Sequence, residues 1–112
     1  METIEKDTIL IADDAELNRE MIKFIFEEQF NIIEAADGVQ AINRLVEHSD
    51  RLCLLFLDLL MPKKSGLDVL RFMNEEDYIN YIPVIMITGE ATDETDEKAY
   101  EYGASDIIYK PF

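Results

Sequence analysis

One cysteine, Cys53, stands alone in the 112 residues, so no disulfide can form within the chain, and a reducing compartment is mildly implied. Bases are scarce. Ten Lys and Arg face 25 Asp and Glu, for a formal net charge of −15. Such a surface repels nucleic acid phosphates and anionic membranes, which argues against direct binding to either. No apolar stretch approaches the about 18–20 residues of a membrane span. The acidic start, Met1-Glu2-Thr3-Ile4-Glu5, has the wrong charge for a secretory signal. Internal repeats, low-complexity segments, linkers and a helix-turn-helix pattern are also lacking. What is present is a 48% hydrophobic fraction, with Ile, Leu, Val and Phe in blocks. The blocks exclude the disorder that so large a charge would otherwise suggest. The length fits one domain with one core, over residues 1–112, and is too short for two. A cytoplasmic acidic domain is the expectation.

Short apolar runs alternate with longer amphipathic stretches. Thr8-Ile9-Leu10-Ile11-Ala12 reads as a buried strand that stops at Asp13-Asp14. Asp14 is placed to cap the helix that follows. In that helix Leu17, Met21, Phe24, Ile25 and Gln29 share one side, while Glu16, Arg19, Glu20 and Lys23 point elsewhere. A second strand spans residues 30–34, and Asp37-Gly38 turns into a helix marked by Ala41, Ile42, Leu45 and Val46 and ending near His48. Leu52 to Leu57 is the strongest strand, six apolar residues before Asp58. Met61-Pro62 breaks the chain, and Ser65-Gly66 restarts it into a helix with Leu67, Leu70 and Met73. Residues 83–87 predict a fourth strand, its proline at the first position where a missing donor is tolerated. A weakly amphipathic helix over 93–102, with Ala99 and Tyr102 among its few apolar anchors, ends at Gly103. Residues 106–109 are a fifth strand. This alternation predicts an α/β fold, the flavodoxin-like doubly wound parallel sheet of five strands in order 2-1-3-4-5.

In such sheets the ligand site lies beyond the C-terminal strand ends. Those ends carry Asp13-Asp14, Asp58, Thr88 and Lys110. Three carboxylates about 4 Å apart would repel by roughly 4 kcal/mol per pair at an effective dielectric near 20. They call for a cation. Oxygen ligands, few in number and with room for water, favour Mg²⁺. Such an ion would neutralise an incoming phosphoryl group together with the attacking Asp58, while Thr88 donates to that group and Lys110 pairs with it.

With these residues in place the chain resembles a receiver domain of a two-component response regulator, similar to the chemotaxis-type regulators. The matching pieces are residues 9–14, 57–62 with Gly66, 83–89, Gly103-Ala104 and Lys110-Pro111-Phe112. Each piece is weak alone, and all five in order are specific. The resemblance implies that Asp58 is the phosphoacceptor, charged by a phosphohistidine on a sensor histidine kinase or phosphotransfer protein. It implies Mg²⁺ bound by Asp14 directly, by Asp13 largely through water, by Asp58, and by the Leu60 backbone carbonyl. It implies that Thr88 swings toward the phosphoryl group and Lys110 pairs with it, shifting the fourth strand, fourth helix and fifth strand. The protein would then be a regulatory switch, not an enzyme, with at most slow autodephosphorylation.

Three departures qualify the resemblance. Ile107 stands where the family usually has a switch aromatic, so the relay would run through Tyr109 or Tyr102, or phosphorylation would not govern partner binding at all (a pseudo-receiver). Leu60 and Glu90 fall where the family tunes phosphoryl lifetime, and apolar Leu60 orients no water, which suggests a longer-lived state. The usual fifth helix, which packs beside the first, is absent after Phe112. If it buries about four apolar side chains at roughly 1.5–3 kcal/mol each, about 6–12 kcal/mol goes with it. The expectation is a domain truncated before its last helix, and so marginal, homodimeric or covered by a partner, or else a chain that continues beyond Phe112. Residues 90–106 hold seven acids and one base. They read as a solvated face or as a docking surface for a basic or apolar partner, with Tyr100 and Tyr102 as contacts. Cys53 reads as a core residue, His48 as a helix-end charge, and Lys63 and Lys64 as solvated loop charges.

Overall fold

The computed structural model describes residues 5–89 and 93–110, with Asp93 described by its main chain alone. Five strands, β1 (Thr8–Ala12), β2 (Asn31–Ala35), β3 (Leu52–Asp58), β4 (Val84–Thr88) and β5 (Asp106–Tyr109), form one sheet in the order β2-β1-β3-β4-β5. Every pairing is parallel. The strand order is the one the sequence predicts, and boundaries differ by one residue at β2, β3 and β4. Helices α1 (Glu16–Phe26), α2 (Gly38–His48), α3 (Gly66–Glu75) and α4 (Asp93–Glu101) make the crossovers. A 3₁₀ turn over Tyr78–Asn80, not anticipated from the sequence, leads into β4.

Period-two alternation sorts the strand side chains onto two faces. Leu10, Ala12, Leu55, Leu57, Val84 and Met86 pack with Ala41 and Leu45 of α2, Val69, Leu70 and Met73 of α3, and Ala99 of α4. Ile9, Ile11, Phe56 and Ile87 pack on the other face with Ile22 of α1, and Phe26 adds a ring contact to Phe56 at 5.6 Å. Local signals fix the helix ends. Ser65 and Asp68 form a reciprocal capping box on α3, and Asp37 caps α2 by accepting from the Gln40 amide at 2.8 Å. Gly103, at φ +109°, turns the chain out of α4 in the left-handed region that suits glycine.

Two expectations at α1 are corrected. The residue flanking its start is Ala15, which has no side-chain cap; it is Asp13, not Asp14, whose Oδ1 accepts the Ala15 N–H at 2.9 Å. Asp13 sits one residue nearer the strand, where its carboxylate turns back over the first turn. Secondly, the side formed by Leu17, Met21, Phe24, Ile25 and Gln29 faces outward: Leu17, Phe24 and Ile25 are 69%, 80% and 66% exposed. Asn18, Ile22 and Phe26 point inward instead, spaced by one helical turn.

The packing sets an expected contrast. Ile22→Ala should lower stability by about 2–4 kcal/mol, as for other buried large-to-small changes. Phe24→Ala, at a surface position, should change it by less than about 0.5 kcal/mol. Denaturant unfolding of both variants checks this. Equal losses would show that something covers the outer face of α1 in solution.

Candidate functional site

The strand ends deliver the expected side chains to one edge of the sheet. One oxygen each from Asp13, Asp14 and Asp58 lies within 4.8 Å of the others. Asp13 is fully buried and Asp58 nearly so, whereas Asp14 is exposed. Lys110, just after β5, reaches between the two buried acids, with Nζ 3.2 Å from Asp58 Oδ1 and 3.3 Å from Asp13 Oδ2. Its place is fixed through the sheet: the Lys110 N–H donates to the Thr88 carbonyl at 2.8 Å, extending the register that pairs Thr88 with Tyr109. Thr88 is buried beside it at the end of β4.

Asp58 is held by its loop as well as by its strand. The Leu59 N–H donates to the Ile87 carbonyl at 2.9 Å, and the Gly66 N–H to the Leu59 carbonyl at 2.8 Å. A Cβ at position 66 would fall 2.2 Å from the Asp58 carbonyl oxygen, so only glycine allows α3 to start so close to the acid. Leu60 lies in this loop with its side chain exposed.

Two positioning groups escaped the sequence reading. Asn18 Nδ2 donates to Asp13 Oδ2 at 3.3 Å. Arg19, read as pointing away, donates from its guanidinium to the Asp13 carbonyl at 2.8 Å and from Nε to Glu34 Oε1 at 3.1 Å. Both lie about one helical turn beyond an acidic strand end, on the side of Ile22, a spacing that marks such groups in a sequence.

Charge and burial are in tension here. Burial, then the neighbouring Asp13 charge, push the Asp58 carboxyl up to about 6 against the opposing pull of Lys110. Burial pulls the Lys110 ammonium down, but Asp58 and Asp13 outweigh it and raise its pKa. One ammonium thus serves two buried carboxylates, and a third acid stands at the rim. The donor set is all oxygen and clustered within reach of one ion, which fits a hard divalent cation.

Elsewhere, Ile107 is half-buried and packs on the main core with Tyr102, leaving Tyr100 as the exposed tyrosine of α4. The Tyr109 hydroxyl donates to Asp96 Oδ2. Cys53 joins the α1-side core, where burial pushes its thiol up. His48 Nε2 lies 3.5 Å from Glu47 Oε2. Lys63, read as a solvated charge, pairs with Asp37 at 3.5 Å. Glu90, Pro111, Phe112 and the first four residues lie outside the described residues. Among the described residues no helix is long and apolar enough to cross a membrane.

The family model for the response regulator receiver domain matches residues 9–112, and the chain belongs to that family. The transcriptional regulatory protein CpxR of Escherichia coli is 38% identical over 104 residues, covering 93% of this chain and 42% of CpxR. The phosphate regulon transcriptional regulatory protein PhoB of the same species is 36% identical over 105 residues, covering 93% of this chain and 45% of PhoB. The chain therefore spans less than half the length of these relatives. Among solved structures, a CheX–CheY–BeF3–Mg complex from Borrelia burgdorferi superposes with a TM-score of 0.84 at 30% identity, covering 95% of this chain and 79% of that one. The family is one of regulatory phosphoacceptors in two-component signalling.

The electrostatic tension gives a pH-dependent expectation for protein held in chelator. Because the folded Asp58 pKa is raised, its ionisation removes stability as pH rises from the unfolded value near 4 through about 6. Asp58→Asn escapes that loss. It should be about 1–3 kcal/mol more stable than wild type at pH 7.5, with the advantage gone near pH 4. Urea melts at the two pH values check it, and a variant less stable at pH 7.5 would contradict it.

Proposed function

We propose that Asp58 accepts a phosphoryl group from the phosphohistidine of a sensor histidine kinase or phosphotransfer protein, in a Mg²⁺-dependent reaction that changes the partner surface. The observation that supports this most directly is the cluster of three carboxylates around Asp58 with Lys110 between Asp58 and Asp13. Asp13, Asp14 and Asp58, with the Leu60 main-chain carbonyl, would hold the ion. Bound there, Mg²⁺ supplies positive charge against which a carboxylate and a phosphoryl group can meet.

The chain's own groups do the rest. Asp58, with a pKa near 6, is mostly anionic at neutral pH and so available as nucleophile. Its oxygen forms a bond to phosphorus as the P–N bond to the donor imidazole breaks, and the imidazole keeps the electron pair and takes up a proton. Lys110 then exchanges its ion pair with the Asp58 carboxylate for one with the phosphoryl oxygens, moving little because it already spans the pocket. Thr88 donates its hydroxyl to another phosphoryl oxygen. Thr88 ends β4 and Lys110 directly follows the adjoining β5, so their new contacts bias the position of β4, α4 and β5. Helix α4 presents acidic side chains from its start, beside that end of the sheet, and exposed Tyr100 near its far end, chemistry suited to a basic or apolar partner.

Incubation with Mg²⁺ and acetyl phosphate, followed by intact mass measurement, tests the proposal. One phosphoryl adduct is expected, not formed when the metal is chelated beforehand and absent in Asp58→Asn. Thr88→Ala should slow its formation by about a hundredfold, the usual size for removal of one preorganised donor. No adduct on the wild type, or one that persists in Asp58→Asn, would overturn the proposal and favour a pseudo-receiver.

A further inference from the structure

The loop over residues 59–65 leads from Asp58 into α3, carries Leu60 two residues beyond the acid, and is constrained on both sides. On the inner side Leu59 is buried and Met61 packs against the main core. On the outer side the loop leans on the start of α2. The Gly38 N–H donates to the Pro62 carbonyl at 3.4 Å, and Lys63 Nζ lies 3.5 Å from Asp37 Oδ2. The contact is main chain against main chain: a Cβ on Gly38 would fall 2.0 Å from the Lys64 carbonyl oxygen and 2.5 Å from the Lys64 Cβ. Lys63 itself holds φ +69°, a conformation an ordinary side chain keeps only where its surroundings impose it.

Asp37 is fixed in turn. Its Oδ1 accepts the Gln40 N–H, while the Gln40 side chain accepts from the Ala36 N–H at 2.9 Å. Its second oxygen is the one that meets Lys63. The β2–α2 turn therefore comes to the loop already rigid.

We infer that Asp37 and Gly38 are positioning residues for the Asp58 site: the start of α2 is an abutment that sets the course of loop 59–65, and through it the Leu60 main chain beside the acids. The inference rests on the metal reading above. Both residues act through the loop, so their replacement leaves all three carboxylates in place and weakens the site all the same. Any side chain at position 38 must push the Lys64 main chain away, because the obstructing atom is backbone rather than a flexible tip.

Calorimetric titration with Mg²⁺ alone, without phosphodonor, tests this on the full chain. Gly38→Ala should bind Mg²⁺ about tenfold more weakly than wild type, the low end for loss of an outer support of a metal site. Asp37→Asn keeps a cap acceptor and loses the Lys63 ion pair, and should weaken binding by about threefold, as suits a pair with an exposed lysine. Val46→Gly, which loosens the same helix about two turns further on at an exposed position, should leave affinity within about twofold. Wild-type affinity in both Gly38→Ala and Asp37→Asn overturns the inference, and so does an equal loss in Val46→Gly. Should Gly38→Ala fail to fold, Asp37→Asn decides alone. A wild type that binds no Mg²⁺ removes the metal reading and this inference with it, whereas tight binding by every variant removes only the inference.

Discussion

Two buried carboxylates, Asp13 and Asp58, share one ammonium from Lys110, with Asp14 adding a third negative charge at the rim. Like charges at such separations repel by several kcal/mol in a partly buried setting. A chain seeking stability alone would place other residues there. The arrangement persists because the surrounding backbone fixes it: β1 and β3 are neighbours in the sheet, so their terminal acids emerge side by side, and β5 delivers the lysine across β4. The pocket is the strained part of an otherwise well-satisfied sheet, and the chemistry assigned to it uses that strain. A cation or a phosphoryl group that entered would find its charge partners already assembled.

The same sheet accounts for how a local charge event could reach a surface. Thr88 and Lys110 are joined by a main-chain hydrogen bond, and Tyr109, opposite Thr88 in the register, bonds through its hydroxyl to Asp96 of α4. New contacts at Thr88 and Lys110 would therefore be felt at α4 through one strand pair and one side chain. Ile107, on the same strand, packs into the main core and has no ring to move.

Much of this was legible in the sequence, for a simple reason. Uninterrupted apolar runs such as Leu52 to Leu57 have room in a sheet covered on both faces, and the acids that end the β1 and β3 runs mark both the strand ends and the site. The orientation of α1 was not legible. Apolar residues lie on two of its sides, and the larger set, Leu17, Met21, Phe24 and Ile25, is the one turned outward. Periodicity identifies a helix but cannot choose between two apolar faces. Side-chain supports from afar were equally hidden: Arg19 to the Asp13 carbonyl, and Asp37 to Lys63, depend on how α1 and α2 sit on the sheet. Likewise, Asp13 rather than Asp14 meets the first amide of the turn because of where β1 stops pairing, a detail decided by main-chain register.

The central claim is that the clustered carboxylates of the strand ends make a site whose native form is completed by a divalent cation. The most direct measurement is the unfolding free energy of the wild type as Mg²⁺ is raised at constant ionic strength and neutral pH. An ion that binds only the folded state must add stability, by about 2.7 kcal/mol when its concentration reaches about a hundred times its dissociation constant. The expected result is a rise that becomes logarithmic in Mg²⁺ once its concentration exceeds the dissociation constant, that Na⁺ does not reproduce and that Asp13→Asn abolishes. A stability that does not respond to Mg²⁺, or responds equally in Asp13→Asn, would contradict the claim.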